Sequence, residues 1–375
     1  MRIGIDAREL CGRSTGAGRY LAGLLQQWTG DDRARRHEFL LYAADPISIA
    51  LDGRRFSARR VPGPPGWWWE QMRVPRVVSG DHVDVWFAPA YTAPLRLRAP
   101  SVVAVHDLSF VAHPEWFRFR EGARRRLFTR HSARAARAVI TISEFSKREL
   151  VERLDVPAER IHVIPPGIGG VVGGHGEPGE SARSSNPKSL IPNPYNVLYV
   201  GSIFNRRHVP DLIRAFGPIA RSHPGVALDI AGDNRSQPRE DLRRTIESEG
   251  LQTIVQWHEY VADEQLAALY AHARAFAFLS EYEGLGLTPL EALAHGVPPV
   301  LLDTPIARES CGDAALYVPP HDLPAVTRAL ETVLFDETVR ARLLAAAPAV
   351  LTKYSWPRAA RETLAVLERA AAAGK

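Results

Sequence analysis

Glu283-Gly-Leu-Gly-Leu-Thr-Pro-Leu-Glu291 is the stretch of this sequence that says most about its fold. Thr288, Pro289 and Glu291 suit the N-cap, the first and the third position of a helix, so the stretch predicts a helix start. Two interpretations of Glu291 stay open on spacing alone. It either closes a capping box with Thr288 or accepts hydrogen bonds from the hydroxyl groups of a ligand.

Two glycines and an acid precede that helix. Gly284 and Gly286 allow the backbone to approach a ligand closely, and the amides of a helix start suit an anion such as phosphate. Glu283 is either a solvated loop acid or a ligand for hydroxyl groups. The segment therefore predicts a turn that ends a strand and offers amides and carboxylates to one ligand.

The bulk composition narrows the class of protein. The chain has 375 residues, of which 45% are hydrophobic and 24% charged, so two soluble α/β domains are expected. Cys11 and Cys311 have no metal-ligand spacing, and neither a disulfide nor a zinc site is expected. No apolar run approaches the roughly 20 residues that span a bilayer, and Met1 leads directly into a strand pattern. We expect a cytoplasmic protein, soluble or peripheral to the membrane.

Short apolar runs alternate with helical patterns, which is typical of parallel sheets covered by helices. In the first half these runs are Ile3–Ala7, Phe39–Ala43, Val83–Phe87, Val102–His106 and Val139–Ile142; in the second they are Val197–Gly201, Ala227–Ala231, Ile254–Trp257 and Ala275–Leu279. A helix after the fifth run is expected to open with a capping box of Ser146 and Glu149.

A glycine-, serine- and proline-rich stretch separates the two series and predicts a linker. The predicted divisions are a first domain at 1–168, the linker at 169–194, a second domain at 195–355 and an amphipathic helix at 356–375. The sequence does not identify the surface on which that helix docks. Ligands are expected beyond the carboxyl ends of the strands, in a cleft between the domains.

Basic residues are concentrated in one segment of the first half. Eight arginines face a single acid, Glu121; they are Arg118, Arg120, Arg124, Arg125, Arg126, Arg130, Arg134 and Arg137. Such a stripe suits an anionic membrane surface, a pyrophosphate-bearing lipid or, less well, nucleic acid. Only four of the 47 basic residues are lysines, so a general arginine bias with no partner is the alternative.

Three consecutive tryptophans, Trp67, Trp68 and Trp69, follow Pro64-Pro65-Gly66. Three neighbours cannot all face one side of a regular element. One or two of them plug the first domain's core, or they form a lip that faces an acceptor or a membrane.

Several further candidates follow predicted strands. Arg206 and Arg207 are adjacent permanent cations that suit a diphosphate. Gly16-Ala17-Gly18 opens a helix after the first strand, where amides can meet phosphate. His106 ends another strand, where it is either a packed core histidine or a cleft residue. The remaining candidates are Arg19, Tyr91 and Thr92 in the first half and Gly201, Ser202, Gly232 and Tyr260 in the second.

These segments together resemble the retaining GT-B glycosyltransferases of family four. The resemblance rests on the two glutamates of Tyr282–Pro298 and on six further segments in family order: Gly16–Tyr20, Val105–Ser109 with Pro114–Trp116, Thr141–Ser146, Val163–Gly167, Tyr199–Ser202 and Ala231–Gly232. It implies an α/β fold of GT-B type, with two doubly wound Rossmann-like domains that face an interdomain cleft. By the same resemblance, residues 1–168 bind the acceptor and residues 195–355 bind the nucleotide-sugar donor. Arg19, Tyr91 and Thr92 are then acceptor candidates, and Gly201, Ser202, Gly232 and Tyr260 are donor candidates.

The resemblance also implies roles for individual residues. Glu283 binds hydroxyl groups of the donor sugar with Gly284, Leu285, Gly286 and Leu287 beside it, and Glu291 binds the ribose. Arg206 and Arg207 stabilise the leaving diphosphate, and His106 contributes to transfer. The family commonly has Lys where this chain has Arg207 and Asn where it has His208, so the contact geometry differs while the charge is retained.

The expected function is retaining transfer of a sugar from a nucleotide-sugar to a glycan or lipid-linked glycan, with no metal and no cofactor besides the substrate. GDP-mannose is the lead donor, and UDP- and dTDP-sugars are the alternatives. A non-catalytic nucleotide-sugar or nucleic-acid binding protein is the alternative from another class. A sugar phosphorylase on the same scaffold would need a cofactor lysine, and the second half holds only Lys188, Lys353 and Lys375.

Overall fold

Two sheets of parallel strands organise the computed structural model, which describes residues 1–12, 15–47, 49, 51, 53–64, 66–169 and 195–373. The chain divides into unit 1, Met1–Asn186 with Tyr354–Lys375, and unit 2, Pro187–Lys353. Apart from Gly169, the predicted linker lies outside the described residues. Both units have the α/β architecture that the alternating pattern predicts.

The sheet of unit 1 is parallel throughout and has the strand order β3-β2-β1-β4-β5-β6-β7. Its strands are β1 (Arg2–Asp6), β2 (Glu38–Ala43), β3 (Phe56–Arg60), β4 (Val85–Ala88), β5 (Ser101–Ala104), β6 (Ala138–Thr141) and β7 (Ile161–Val163). Central strands such as β4 are buried at every residue, which is why they read as continuous apolar runs. Strand order reverses between β1 and β4, and ligands favour such a point at the carboxyl ends.

Helices cover both faces of this sheet. They are α1 (Gly16–Gly30), α2 (Val74–Val78), α3 (Ser109–Ala112), α4 (Phe119–Ala135) and α5 (Glu144–Leu154). The predicted capping box of α5 is wrong. The helix begins earlier, and its N-cap is Ser143, whose hydroxyl accepts a hydrogen bond from the amide of Ser146. Ser143 has the extended backbone that an N-cap requires, whereas Ser146 lies inside the first turn.

The final helix, α13 (Trp356–Ala372), docks on unit 1. Its apolar face joins the core beside β4, β5, β6 and α1. The indole of Trp28 donates a hydrogen bond to the carbonyl of Ala360, and the guanidinium of Arg33 pairs with Glu368. The ring of Trp356 lies against Gly23, where a Cβ atom would come within 2.5 Å of it. The chain therefore returns to its first domain after completing its second.

The sheet of unit 2 is also parallel, in the order β10-β9-β8-β11-β12-β13. Its strands are β8 (Tyr195–Val200), β9 (Val226–Ala231), β10 (Val255–His258), β11 (Ala273–Phe278), β12 (Pro299–Leu302) and β13 (Leu316–Val318). Its helices are α6 (Val209–Ser222), α7 (Leu242–Ser248), α8 (Asp263–His272), α9 (Leu287–Ala294), α10 (Pro305–Cys311), α11 (Leu323–Phe335) and α12 (Glu337–Leu351). Among the described helices, none has the combination of length and low polarity needed to cross a bilayer.

The docking of α13 gives a stability prediction. Leu364 is fully buried in the core of unit 1, so Leu364→Ala should lower the free energy of unfolding by about 2–5 kcal/mol. Denaturant unfolding followed by tryptophan fluorescence measures this, because every tryptophan except Trp257 belongs to unit 1. Glu362→Ala, on the exposed face of the same helix, is the control and should leave the midpoint unchanged. Equal stability of the two variants would contradict the docking.

Candidate active site

The glycine-rich segment of unit 2 runs from β11 into α9. Gly286 is the N-cap, with a left-handed backbone at φ 83° and ψ 63°, and the helix begins at Leu287. The prediction that Thr288 caps this helix with Pro289 in its first position is therefore wrong. Both residues lie inside the first turn, where proline is tolerated because the amide it lacks has no partner within the helix. The left-handed glycine starts the helix earlier than the Thr-Pro pattern indicates.

The earlier start of α9 also changes the interpretation of Glu291. It lies in the second turn of α9, too far from the helix start to close a capping box. Its half-buried carboxylate accepts a hydrogen bond from the hydroxyl of Tyr270, with an O–O distance of 3.3 Å. The capping-box interpretation is thus wrong, and the role of Glu291 as a ribose ligand stays a prediction.

Glu283 and Arg207 form an ion pair, although they are 76 positions apart. Nε and Nη2 of Arg207 lie 2.8 and 2.7 Å from Oε1 of Glu283. The hydroxyl of Ser280 donates to the same oxygen at 2.9 Å. Among the described residues, none donates to Oε2 of Glu283. One carboxylate oxygen is therefore held by the protein, and the other can accept a hydroxyl proton from a ligand.

The surroundings of Arg207 are aromatic and close-packed. Its guanidinium lies 4.9 Å from the ring centroid of Phe278, and Nη1 donates to the Ser202 carbonyl at 2.8 Å. A Cβ atom at Gly201 would come within 2.8 Å of Nη1. Burial acts to lower the pKa of Arg207, but the interactions with the Glu283 carboxylate and with Tyr199 together outweigh burial and hold the pKa above its ordinary value. The charge is thus fixed at the carboxyl edge of this sheet.

The other donor candidates of unit 2 differ in their contacts and in their exposure. Arg206 stacks on Phe204, its guanidinium carbon 4.3 Å from the ring centroid, and its carbonyl accepts from the amide of Glu281. The hydroxyl of Ser202 donates to Asp233 at 2.7 Å. Tyr260 is 67% exposed and lies on the segment between β10 and α8.

In unit 1, His106 lies just beyond the carboxyl end of β5. Its ring packs edge-on against Tyr20 and Tyr91, with centroid distances of 4.7 and 5.7 Å. Nε2 lies 2.7 Å from the carbonyl of Pro89, and because a carbonyl can only accept, Nε2 carries the proton. Burial lowers the pKa of His106, which favours the neutral ring with its lone pair on Nδ1.

The two predicted acceptor residues beside it are engaged with acids. The hydroxyl of Tyr91 donates to Oδ2 of Asp107 at 2.5 Å, and Arg125 lies over the Tyr91 ring at 4.5 Å. The hydroxyl of Thr92 donates to Oε2 of Glu70 at 2.8 Å. Tyr91 has a positive φ of 64°. These residues therefore face a polar network rather than open solvent.

Sequence reasoning missed the charged centre of that network. Arg8 pairs with Asp6 at 2.6 Å and with Glu70 at 2.9 Å, and both carboxylates are buried. Burial raises the pKa of Glu70. The available signal was Asp6 at the end of an apolar strand with Arg8 two residues on, but the partner Glu70 is distant in sequence.

The Gly16–Gly18 segment opens α1 as expected. Thr15 is the N-cap, and its hydroxyl accepts the amide of Gly18 at 2.9 Å. A Cβ atom at Gly18 would collide with the carbonyl of Glu9. Gly18 is thus required for packing and capping, while Gly16 and Ala17 stay predicted phosphate contacts. The side chain of Arg19 is exposed.

Comparisons with known proteins agree with this architecture. Residues 14–169 match the family described as Glycosyltransferase Family 4, and residues 182–350 match Glycosyl transferases group 1. The chain is similar to O-antigen chain mannosyltransferase B of Escherichia coli, at 27% identity over 76% of this chain and 74% of that protein. It is 28% identical to the Escherichia coli serotype-specific mannosyltransferase WbdA over 60% of this chain, but spans only 28% of that protein.

Among solved structures, it is similar to HepE of Anabaena in complex with UDP and glucose. The TM-score is 0.73 at 20% identity, over 98% of this chain and 100% of that one. This likeness shows the GT-B fold, with its two doubly wound parallel units. The family matches and the mannosyltransferase relatives make the chain a glycosyltransferase that uses a nucleotide-sugar donor. The chain belongs to glycosyltransferase family 4, among the group 1 glycosyl transferases.

The neutral state of His106 gives a pH prediction. Its folded pKa lies below the unfolded value of about 6.5, so its contribution to stability is present above that pH and is lost as the pH falls toward the folded pKa. His106→Gln, which keeps a donor for the Pro89 carbonyl, should therefore lose less stability than the natural protein when the pH falls from about 7.5 to about 5.5.

Denaturant unfolding of both proteins at the two pH values measures this difference. The contributions of the other histidines are the same in both proteins and cancel when the two are compared. Imidazole NMR of the natural protein is the direct check and should show a proton on Nε2 at neutral pH. A His106 titration midpoint at or above about 6.5 would contradict the assignment.

Proposed function

We propose that this chain transfers a sugar from a nucleotide-sugar to a glycan or lipid-linked glycan with retention of anomeric configuration, and that the donor is GDP-mannose. The observation that carries the proposal is the Arg207–Glu283 pair, with one carboxylate oxygen held and the other open. The mannosyltransferases to which the chain is similar support mannose. HepE, whose complex holds UDP and glucose, supports a UDP-sugar as the alternative.

The proposed step needs charge stabilisation and no protein nucleophile. The bond between the anomeric carbon and the diphosphate oxygen breaks, the acceptor oxygen bonds to that carbon from the same face, and the departing phosphate oxygen takes the acceptor proton. Arg206 and Arg207 stabilise the charge that develops on the diphosphate. Open Oε2 of Glu283 accepts from a sugar hydroxyl, and the amides at the start of α9 lie next to it in sequence.

Removing the Glu283 carboxylate tests this proposal. Glu283→Ala should lower the transfer rate by at least about 100-fold, measured with GDP-mannose, UDP-glucose and a dTDP-sugar, with the product anomer read by NMR. Glu283→Gln keeps an acceptor for Arg207 and separates lost chemistry from lost packing. Glu264→Ala, an exposed acid of α8, is the control and should transfer normally. Near-normal transfer by the Glu283 variants, with unchanged melting, would sink the assignment.

The acceptor side of the proposal concerns a surface of unit 1. The three tryptophans divide between the core and the surface of unit 1. Trp69 is 1% exposed, and its indole donates to the Val61 carbonyl at 2.8 Å. Trp67 and Trp68 are 44% and 56% exposed. Trp67 stacks on Phe128 at 5.8 Å, which joins the tryptophans to α4.

The arginine stripe also divides into two sets. Arg125 and Arg126 turn inward, the first over the rings of Tyr91 and Phe110 and the second toward the Phe110 carbonyl. Arg120 and Arg124 are exposed on α4, near the strongly exposed Phe119 and Leu127. We name Trp67, Trp68, Phe119, Arg120, Arg124 and Leu127 the aromatic–arginine surface.

Exposed aromatic rings beside exposed arginine side chains suit an anionic lipid surface better than nucleic acid. The rings can enter the headgroup region of the membrane while the guanidinium groups contact the anionic headgroups at its surface. In the proposal, unit 1 is cytoplasmic and rests on the inner face of the membrane through the aromatic–arginine surface, where a lipid-linked acceptor is found. The reaction itself uses no metal and no cofactor besides the nucleotide-sugar.

Sedimentation with vesicles tests this surface. The natural protein should bind vesicles containing anionic lipid more tightly than neutral ones, and less tightly as salt increases. Arg120→Glu with Arg124→Glu should weaken that binding more than about tenfold, and Trp67→Ala with Trp68→Ala should weaken it at any salt concentration. Arg361→Glu, an exposed arginine of α13, is the matched control. Binding that is independent of anionic lipid content would overturn the membrane proposal.

A further inference from the structure

Three side chains of unit 2 that can bind a metal ion lie close together, and none of them belongs to the Arg207–Glu283 pair. His208 lies between the turn Asn205–Arg207 and α6, Glu281 follows β11, and His321 precedes α11. Their candidate ligand atoms all lie within 4.8 Å of one another. Nε2 of His208 is 2.7 Å and Nε2 of His321 is 3.9 Å from Oε1 of Glu281. The three side chains therefore come from the segments that follow β8, β11 and β13, at the carboxyl edge of the sheet.

The orientation of His208 suits a ligand for a metal. Its Nε2 points to Glu281, while its Nδ1 lies 3.4 Å from Oδ2 of Asp211. Metal-bound histidines commonly donate their second ring N–H to a carboxylate, which fixes the ring and increases its basicity. Asp211 is itself held by Arg214 at 2.7 Å. A second layer of support thus stands behind the candidate ligand.

The backbone presents both histidines in an uncommon conformation. His208 has φ 48° and His321 has φ 61°, in the left-handed region that non-glycine residues other than Asn, Asp and His rarely adopt. The rings pack edge to face with a centroid distance of 5.5 Å. Both side chains are therefore directed toward Glu281 from outside regular helices and strands.

From this geometry we infer that His208, Glu281 and His321 bind one divalent ion of the Zn²⁺ class. Imidazole and carboxylate ligands suit Zn²⁺ and its neighbours, whereas Mg²⁺ and Ca²⁺ prefer oxygen ligands alone. Two histidines and one carboxylate leave a coordination position for water, and His321, with 72% of its side chain exposed, leaves the site open to solvent. A surface depression lined by His208, Asp211 and Glu240 adjoins it.

The ion would fix loops rather than take part in transfer. His208 is the neighbour of Arg207, and the amide of Glu281 donates to the Arg206 carbonyl at 3.0 Å. Bridging these loops holds the segments that carry Arg206, Arg207 and Glu283 in one arrangement. The three side chains would bind the ion whether or not the chain transfers a sugar.

Metal titration of the full chain, without a histidine tag and after dialysis against a chelator, tests the site. Isothermal titration with Zn²⁺ should show one equivalent bound, and Co²⁺ should give the visible absorption of a low-coordinate complex. His208→Asn and His321→Asn suit the left-handed backbone and so preserve the fold; each should weaken Zn²⁺ binding more than about tenfold, as should Glu281→Gln and Asp211→Asn.

The matched control is His223→Asn. His223 is a half-buried histidine of the same unit with Glu331 3.8 Å away, and its replacement should leave binding unchanged. Zn²⁺ should also raise the melting temperature of the natural protein but not of His321→Asn. Failure of the natural protein to bind Zn²⁺, or equal affinity in the His208, His321 and His223 variants, overturns the site. Normal glycosyl transfer in the metal-free protein leaves this result unaffected.

Discussion

Parallel pairing of the strands determines where this protein can carry polar chemistry. A parallel strand covered on both faces has no exposed side for polar residues, so charged groups collect where the strands end. Asp6 ends β1, His106 lies just beyond β5, and Glu283 follows β11. In both units the residues with reactive or ion-binding character therefore lie at the carboxyl edge of a sheet, which is the edge where α/β proteins bind ligands.

Burial at that edge makes pairing obligatory. A charge removed from water without a partner costs several kcal/mol, so buried cations and anions occur together. Arg8 accordingly lies between Asp6 and Glu70, and Arg207 binds Glu283. Such pairs are weak sources of net stability, but losing one partner leaves the other buried and unpaired. The geometry of each site is therefore fixed before a ligand arrives.

The sequence predicted the elements whose signal is local. Most central strands were found because their apolar runs are continuous, although β12 was missed. Helix α13 was found because its amphipathic pattern extends over several turns. Strand β3, Phe56–Arg60, was missed because an edge strand alternates buried with exposed residues and ends in two arginines. The predicted start of α9 was wrong because Gly286 adopts a left-handed backbone conformation, which the pattern of neighbouring side chains does not indicate.

Contacts between distant segments could not be predicted in the same way. Spacing within the Glu283–Glu291 stretch left the role of Glu291 open, and only the helix register excluded the capping box. The pairing of Arg207 with Glu283, of Arg8 with Glu70 and of His208 with Glu281 depends on which strands become neighbours. Family resemblance supplied roles for some of these residues, but it did not indicate Glu70 or the histidine cluster.

The pair at Arg207 also explains why arginine suits a position where lysine is common in the family. A guanidinium has five N–H donors. Two of them bind Oε1 of Glu283, one binds the Ser202 carbonyl, and the guanidinium also interacts with Tyr199. A planar guanidinium reaches these groups from separate nitrogens, whereas an ammonium group carries its three donors on one nitrogen. In the proposed reaction, arginine holds Glu283 in position and keeps a remaining donor and a permanent charge for the diphosphate.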